Sequence, residues 1–181
     1  MAALTALNPI LIVVFTLAAA VSDWRTRKLP NWLTVSALAA ALLLHTILAG
    51  LPGLANALLG FAVGFGILLV LWLIGGSGGG DVKLMGALGA WLGVSLILRV
   101  FFLSAALIAV FAGAVLVFAF ASNGFVYVRR RYMTKGKKQA TNETDRIRQR
   151  QRLRIMPYAV PVAISTWLVL AEAWLRGAMP W

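Results

Sequence analysis

The stretch "FAVGFGILLVLWLIGGSGGGDVKLMGALGAWLG" (61–93) contains an apolar run, a break and a second apolar run. Five of the six residues from Gly75 to Gly80 are glycine, and Asp81 and Lys83 follow before the apolar pattern resumes. The flanking runs are long and uniformly apolar, the pattern of membrane-spanning helices. An acidic residue contributes nothing to insertion at such a junction, so Asp81 needs a separate explanation.

The same pattern extends along the chain. Of its 181 residues, 61% are hydrophobic, against about 45–50% in an ordinary soluble domain. Mean hydropathy is +0.89. A soluble all-α protein does not fit this composition. Backbone hydrogen bonding excludes an open sheet in lipid, and the runs are too long for barrel strands. The reading is an all-α, polytopic membrane helical bundle forming a single domain over residues 1–181. Six transmembrane helices are expected at about 4–22, 32–49, 55–75, 82–98, 100–122 and 156–175. Arg99 marks the end of the fourth. Pro30 is expected to stop the first helix and Asn31 to cap the second. "AGLPGLAN" (49–56) reads as a turn. Pro157 stands near the start of the last helix, where a missing N–H costs little. No Lys or Arg precedes the first apolar run, so that run is expected to be a retained span, not a cleaved signal.

Charge orients the spans. Net charge is +12, from 17 Lys and Arg against 5 Asp and Glu. Arg25, Arg27 and Lys28, then Lys83, then eleven basic residues between 129 and 154 fall in alternate connections, which hold 15 of the 17. The positive-inside rule puts these in the cytoplasm and both termini outside. The basic loop at about 129–154 reads as a topology anchor held by anionic lipid, not as a nucleic-acid site. The chain has no Cys and one His, His45. Without Cys there is no thiolate metal site or cysteine nucleophile, and a single His inside an apolar stretch argues against a His-based metal cluster and a Ser-His-Asp triad. No metal or cofactor is expected. His45 reads as a border or packed residue. The Gly60/Gly64 and Gly89/Gly93 pairs read as close helix packing. Trp24, Trp32, Trp72 and Trp91 read as interface or packing aromatics, with substrate contact open to Trp24 and Trp32.

The acidic residues separate by position. Glu143 and Asp145 lie in the basic loop as solvated salt partners, and Glu172 lies near the outer end of the last helix as an interfacial charge. Asp23 and Asp81 both lie at the cytoplasmic membrane border, where an ionisable residue is costly and points to function. Two carboxylates on one membrane face can carry out aspartic-protease chemistry: one takes a proton from water while the other donates to the scissile carbonyl. The glycines would let the backbone bend and approach a peptide closely. The pattern equally allows Asp23 to flank a basic loop and Asp81 to cap a helix. Proton or cation passage through a small transporter or channel is a third use of border acids, although transporters place such acids nearer mid-membrane. A non-enzymatic membrane scaffold would need neither carboxylate.

"SDWRTRKLPNWLT" (22–34) and "GGGDVKLMGALGAWLG" (78–93) resemble the two signature segments of prepilin peptidases, the membrane GxGD aspartyl proteases. Gly78-Gly79-Gly80-Asp81 fits GxGD, with Gly79 at the variable position. The spacing, the six expected spans and "MPYAVPVA" (156–163) agree over nearly the whole chain. The resemblance implies Asp23 and Asp81 as the catalytic dyad, Gly78 and Gly80 as the active-site loop, and Lys83, Arg25 and Lys28 as substrate or site support. It implies a prepilin or pseudopilin precursor as partner, cut at the cytoplasmic face of the inner membrane. Larger members carry an N-terminal cytoplasmic region, often with paired cysteines, and also N-methylate their product. With about three residues before the first span and no Cys, the chain is expected to lack that activity. It resembles the short CpaA/TadV-type enzymes of Flp (Tad) pili, and the short archaeal preflagellin peptidases share GxGD.

Overall fold

A computed structural model describes residues 2–27, 29–75, 78–132 and 158–177. The described residues form four helices and no strand: α1 (Ala2–Thr26), α2 (Asn31–Leu73), α3 (Gly79–Tyr132) and α4 (Ala159–Leu175). Stretches of α1, α2 and α3 are long and apolar enough to cross a membrane: Asn8–Thr26, Asn31–Leu73 and Gly79–Phe118. α4 is apolar but shorter, at 17 residues. Three helices among the described residues, not six, are thus long and apolar enough to span, and the span expected at about 156–175 is the shorter helix Ala159–Leu175. The basic loop expected at about 129–154 is helical over 129–132, where α3 continues past the expected end of the fifth span. Residues 133–154, with Lys28 and Pro157, lie outside the described residues, as do Glu143 and Asp145 within that loop.

Two expected boundaries differ. The turn at 49–56 is a single break inside α2, at Gly50, whose φ of 63° and ψ of −145° leave helical space. Glycine adopts that conformation without the steric penalty of a Cβ. Helix resumes at once on either side, so residues 31–49 and 51–73 form two halves. The boundary expected at Arg99 is absent: α3 runs through it, and Gly93, with φ of 70°, is the left-handed residue within that helix. One arginine in an otherwise strong apolar helix does not end it, because a long basic side chain can reach outward from its own stem.

The chain divides into two compact units, residues 1–104 with 157–181, and residues 105–156. In the second, the described part of α3 exposes Val110, Val117 and Phe118, as a lipid-facing helix does. The first unit holds the core. The α3 stretch from Val82 to Leu92 is buried almost all round, Lys83 excepted. A helix hydrophobic on every face belongs in the centre of a bundle. It shares one apolar cluster with Ile12 and Phe15 of α1, Leu68 of α2, and Val162 and Val169 of α4. α1 and α4 pair antiparallel: Trp167 donates from Nε1 to Thr16 Oγ1 at 2.9 Å, and the Ala159 N–H reaches Asp23.

Both halves of α2 meet α3. From the first half, the Ala37 carbonyl accepts from Trp91 Nε1 at 2.9 Å, and His45 Nε2 lies 3.3 Å from the Trp91 carbonyl oxygen. His45 is therefore a packed residue. The second half crosses α3 at glycines. A Cβ on Gly60 would collide with the Gly89 carbonyl and one on Gly89 with the Gly60 carbonyl, while Gly64 lies against the Met85 carbonyl. The two expected glycine pairs are thus the two sides of one seam, in which helices without a hydrophobic drive between them gain van der Waals contact by close backbone approach.

A valine at Gly60 or Gly89 must push the helices apart. Each should cost about 2 kcal/mol or more, in the range of overpacked cores, and lower the thermal midpoint of the protein in detergent. Gly66 faces open space, so Gly66→Ala should leave the midpoint nearly unchanged. Equal tolerance at Gly60, Gly89 and Gly66 would contradict the seam.

Candidate active site

α1 reaches Thr26, farther than expected, so Asp23 and Arg25 lie on its last turn. Arg25 complements the negative end of the helix dipole there. The helix closes at Arg27, whose φ of 52° is left-handed and whose N–H donates to the Asp23 carbonyl at 2.9 Å. This is the usual left-handed termination, here with an arginine where glycine is commoner. The turn leads through Leu29 and Pro30 into α2. Pro30, extended at φ −68° and ψ 136°, occupies the cap position of α2, and no side chain caps that end. Asn31 is the first helical residue, and its side chain is used elsewhere.

Asp23 is 3% exposed, and its Oδ2 accepts from the Ala159 N–H at 2.9 Å. Ala159 opens α4. A helix N-terminus presents unpaired N–H groups and partial positive charge, so a carboxylate from another helix is well accommodated. Asp81 is also 3% exposed. It is the third residue of α3, and its Oδ2 accepts from the Gly78 N–H at 3.0 Å, while its own N–H donates to the Gly78 carbonyl at 2.9 Å. This is the reach-back half of a capping box, made by an aspartate. The helix-capping reading of Asp81 is therefore correct as local structure, and it leaves the chemical reading open.

These segments meet. A Cβ on Gly80 would stand 3.4 Å from Leu29 Cβ. Lys83 donates from Nζ to Asn31 Oδ1 at 2.9 Å. The start of α3 thus lies on the α1–α2 link, a few residues from Asp23. Among the described residues, Asp23 and Asp81 are the two buried acids. The third, Glu172, is half-buried and pairs with Arg176 at 2.7 Å. Gly78 is half-buried beside Asp81 and Arg25 is exposed. Trp24 and Trp32, 68% and 72% exposed, flank the link, and Trp72 approaches Gly79 from the end of α2. Trp91 packs in the core. No group of three or more potential metal ligands occurs among the described residues.

Several partners were not foreseen. Asn31 was expected to cap α2; it accepts from Lys83 instead, because the preceding proline already sets the chain entry to the helix. Nothing in the sequence points to the Ala159 N–H as a partner of Asp23, since backbone groups carry no residue signature. The Leu29 contact had a faint signal in the small Gly80.

The model of the type IV leader peptidase family matches residues 10–122, more than half of the chain and inclusive of Asp23 and Asp81. No curated protein and no solved structure matches significantly.

The bond from Ala159 to Asp23 makes a structural prediction separate from catalysis. Asp23→Asn keeps an acceptor for that N–H, whereas Asp23→Leu leaves it buried and unpaired, at a cost of about 1–3 kcal/mol. Amide hydrogen exchange at the start of α4 should therefore rise in the leucine variant and change little in the asparagine variant. Identical exchange in both would mean that the bond does not hold α4.

Proposed function

Because the chain belongs to the type IV leader peptidase family, we propose that it is a membrane aspartyl endopeptidase in which Asp23 and Asp81 form the catalytic pair. The family indicates a peptidase acting on prepilin-type substrates, and the apolar helices indicate an integral membrane protein. The observation that carries the assignment of residues is the burial of these two carboxylates on segments joined by the Leu29–Gly80 and Asn31–Lys83 contacts.

In the proposed reaction one carboxylate is ionised and the other protonated, because two close carboxylates do not readily ionise together. The ionised one takes a proton from a water, whose oxygen attacks the scissile carbonyl. The protonated one donates to the carbonyl oxygen. Collapse of the tetrahedral species breaks the C–N bond, and the amine leaves with a proton from the pair. The bond from a helix-terminal N–H to each carboxylate supports this use, since a backbone donor fixes the orientation of the group. Gly78, just before α3, and Gly80, on its first turn and so not in a loop, both lie beside Asp81. Lys83 and Arg25 supply positive charge near the two segments, and the resemblance adds Lys28 as a further candidate. The substrate is a type IV, Flp-like prepilin, cut at the cytoplasmic face of the inner membrane.

The six-span topology belongs to the same reading. A straight helix rises about 1.5 Å per residue, so the 43 residues of α2 would measure roughly 64 Å, twice a ~30 Å hydrocarbon core. The break at Gly50 supports two passes for α2, and the length of α3 supports two more. Single cysteines at positions 2, 140 and 179 should then label from outside, inside and outside, in a chain with no native cysteine to interfere. Labelling of position 140 by an impermeant external reagent would overturn the orientation.

The decisive test is conversion of a purified Flp-type precursor in detergent. Asp23→Asn and Asp81→Asn should each abolish cleavage at normal membrane levels. The double variant should be no worse, because groups acting as a unit are strongly non-additive. Glu172→Gln should remain active. Full processing by either asparagine variant would end the aspartyl assignment, and no processing by the parent chain would favour a scaffold role.

A further inference from the structure

Asn31 and Lys83 are 52 residues apart and joined side chain to side chain. Asn31 follows Asp23 by eight residues, and Lys83 follows Asp81 by two. Their bond is therefore a direct link between the two segments that carry the buried carboxylates. It does not stand alone. Gly80 and Lys83 are three apart on α3, hence neighbours on one helix face, and Gly80 packs on Leu29, two residues before Asn31. The link is thus held to the same face of α3 at two successive points. One contact would allow α3 to pivot against the link; two oppose it.

We propose that Lys83 and Asn31 are positioning residues, whose hydrogen bond beside the Leu29–Gly80 contact fixes the start of α3 against the α1–α2 link and so sets the spacing of Asp23 and Asp81. The residue types fit this role. An ammonium bonded to an amide oxygen makes a charge-assisted bond, stronger than a neutral one. Lysine has a long, flexible stem that loses rotamer freedom when tied, and both side chains are exposed, so the bond acts together with the Leu29–Gly80 contact. An amide also anchors the ammonium without bringing a third carboxylate up to the pair. Its consequence for cleavage rests on the peptidase reading, because a dyad works only when both carboxylates reach one water and one carbonyl. A shift of about 1 Å in such a site can cost on the order of a hundredfold in rate.

The test uses the full chain in detergent with cysteines introduced at Val21 and Gly79, both exposed, and spin-labelled. The distance distribution between the labels reads the spacing of α1 and α3 without any need for activity. Lys83→Met and Asn31→Leu should each broaden it, and the double variant should broaden it no further. In the unlabelled protein each should lower kcat for precursor cleavage about tenfold, equivalent to ~1.4 kcal/mol, with KM little changed and the double no worse. Asn31→Asp, which keeps an acceptor, should preserve the narrow distribution. Unchanged distributions in both single variants would overturn the proposal. So would a rise in KM for Lys83→Met with Asn31→Leu unaffected, which would make Lys83 a substrate contact. If the parent chain cleaves no precursor, the peptidase reading fails, and the distance measurement alone decides whether the clamp exists.

Discussion

The first unit depends on the backbone contact at Gly60 and Gly89. Neither residue has a Cβ, and each lies where a Cβ would strike the other's carbonyl. Lipid tails are as apolar as leucine, so hydrophobicity alone does not press one membrane helix against another; close packing does. The seam lets the second half of α2 lie on α3 between Met85 and Gly93. It thereby fixes the part of α3 that begins with Asp81. The first half of α2 then reaches the same part of α3 through the Trp91 bond to Ala37 and the approach of His45.

From that arrangement the ends of the helices acquire chemical meaning. α3 starts at Gly79, so Asp81 falls on its first turn and bonds back to Gly78. α4 starts at Ala159, and its first N–H is taken by Asp23 of α1. Each carboxylate thus meets a structural need, an orphan donor at a helix terminus, which favours a negative group. A buried acid would otherwise be expensive. Local stabilisation and proposed catalysis draw on the same property, the affinity of an oxygen pair for hydrogen-bond donors. For that reason removing a carboxylate and neutralising it are different perturbations at Asp23.

Much of this was legible from residue types. The apolar runs gave an all-helical membrane chain, because composition and run length answer directly to lipid. The GxxxG pairs predicted close packing, since only the smallest residue permits it. The isolated border acids, with the resemblance of their surroundings, singled out Asp23 and Asp81. Boundaries were less legible. The turn expected over 49–56 is a break at Gly50 alone, and α3 does not stop at Arg99. A break needs a backbone conformation, and residue type only makes it affordable.

What the sequence by itself determined is which residues can enter a membrane, which can pack without side chains, and which can ionise. These are properties of single residues and short windows. What only the tertiary structure decided is which of them meet: Asp23 with the Ala159 N–H, Gly80 with Leu29, Lys83 with Asn31, Gly60 with Gly89. Each pair joins segments far apart in the chain, and two of the four contacts involve backbone atoms that every residue carries. Such pairings are set by how the helices cross, and a crossing is a collective result of packing that no local window of sequence contains.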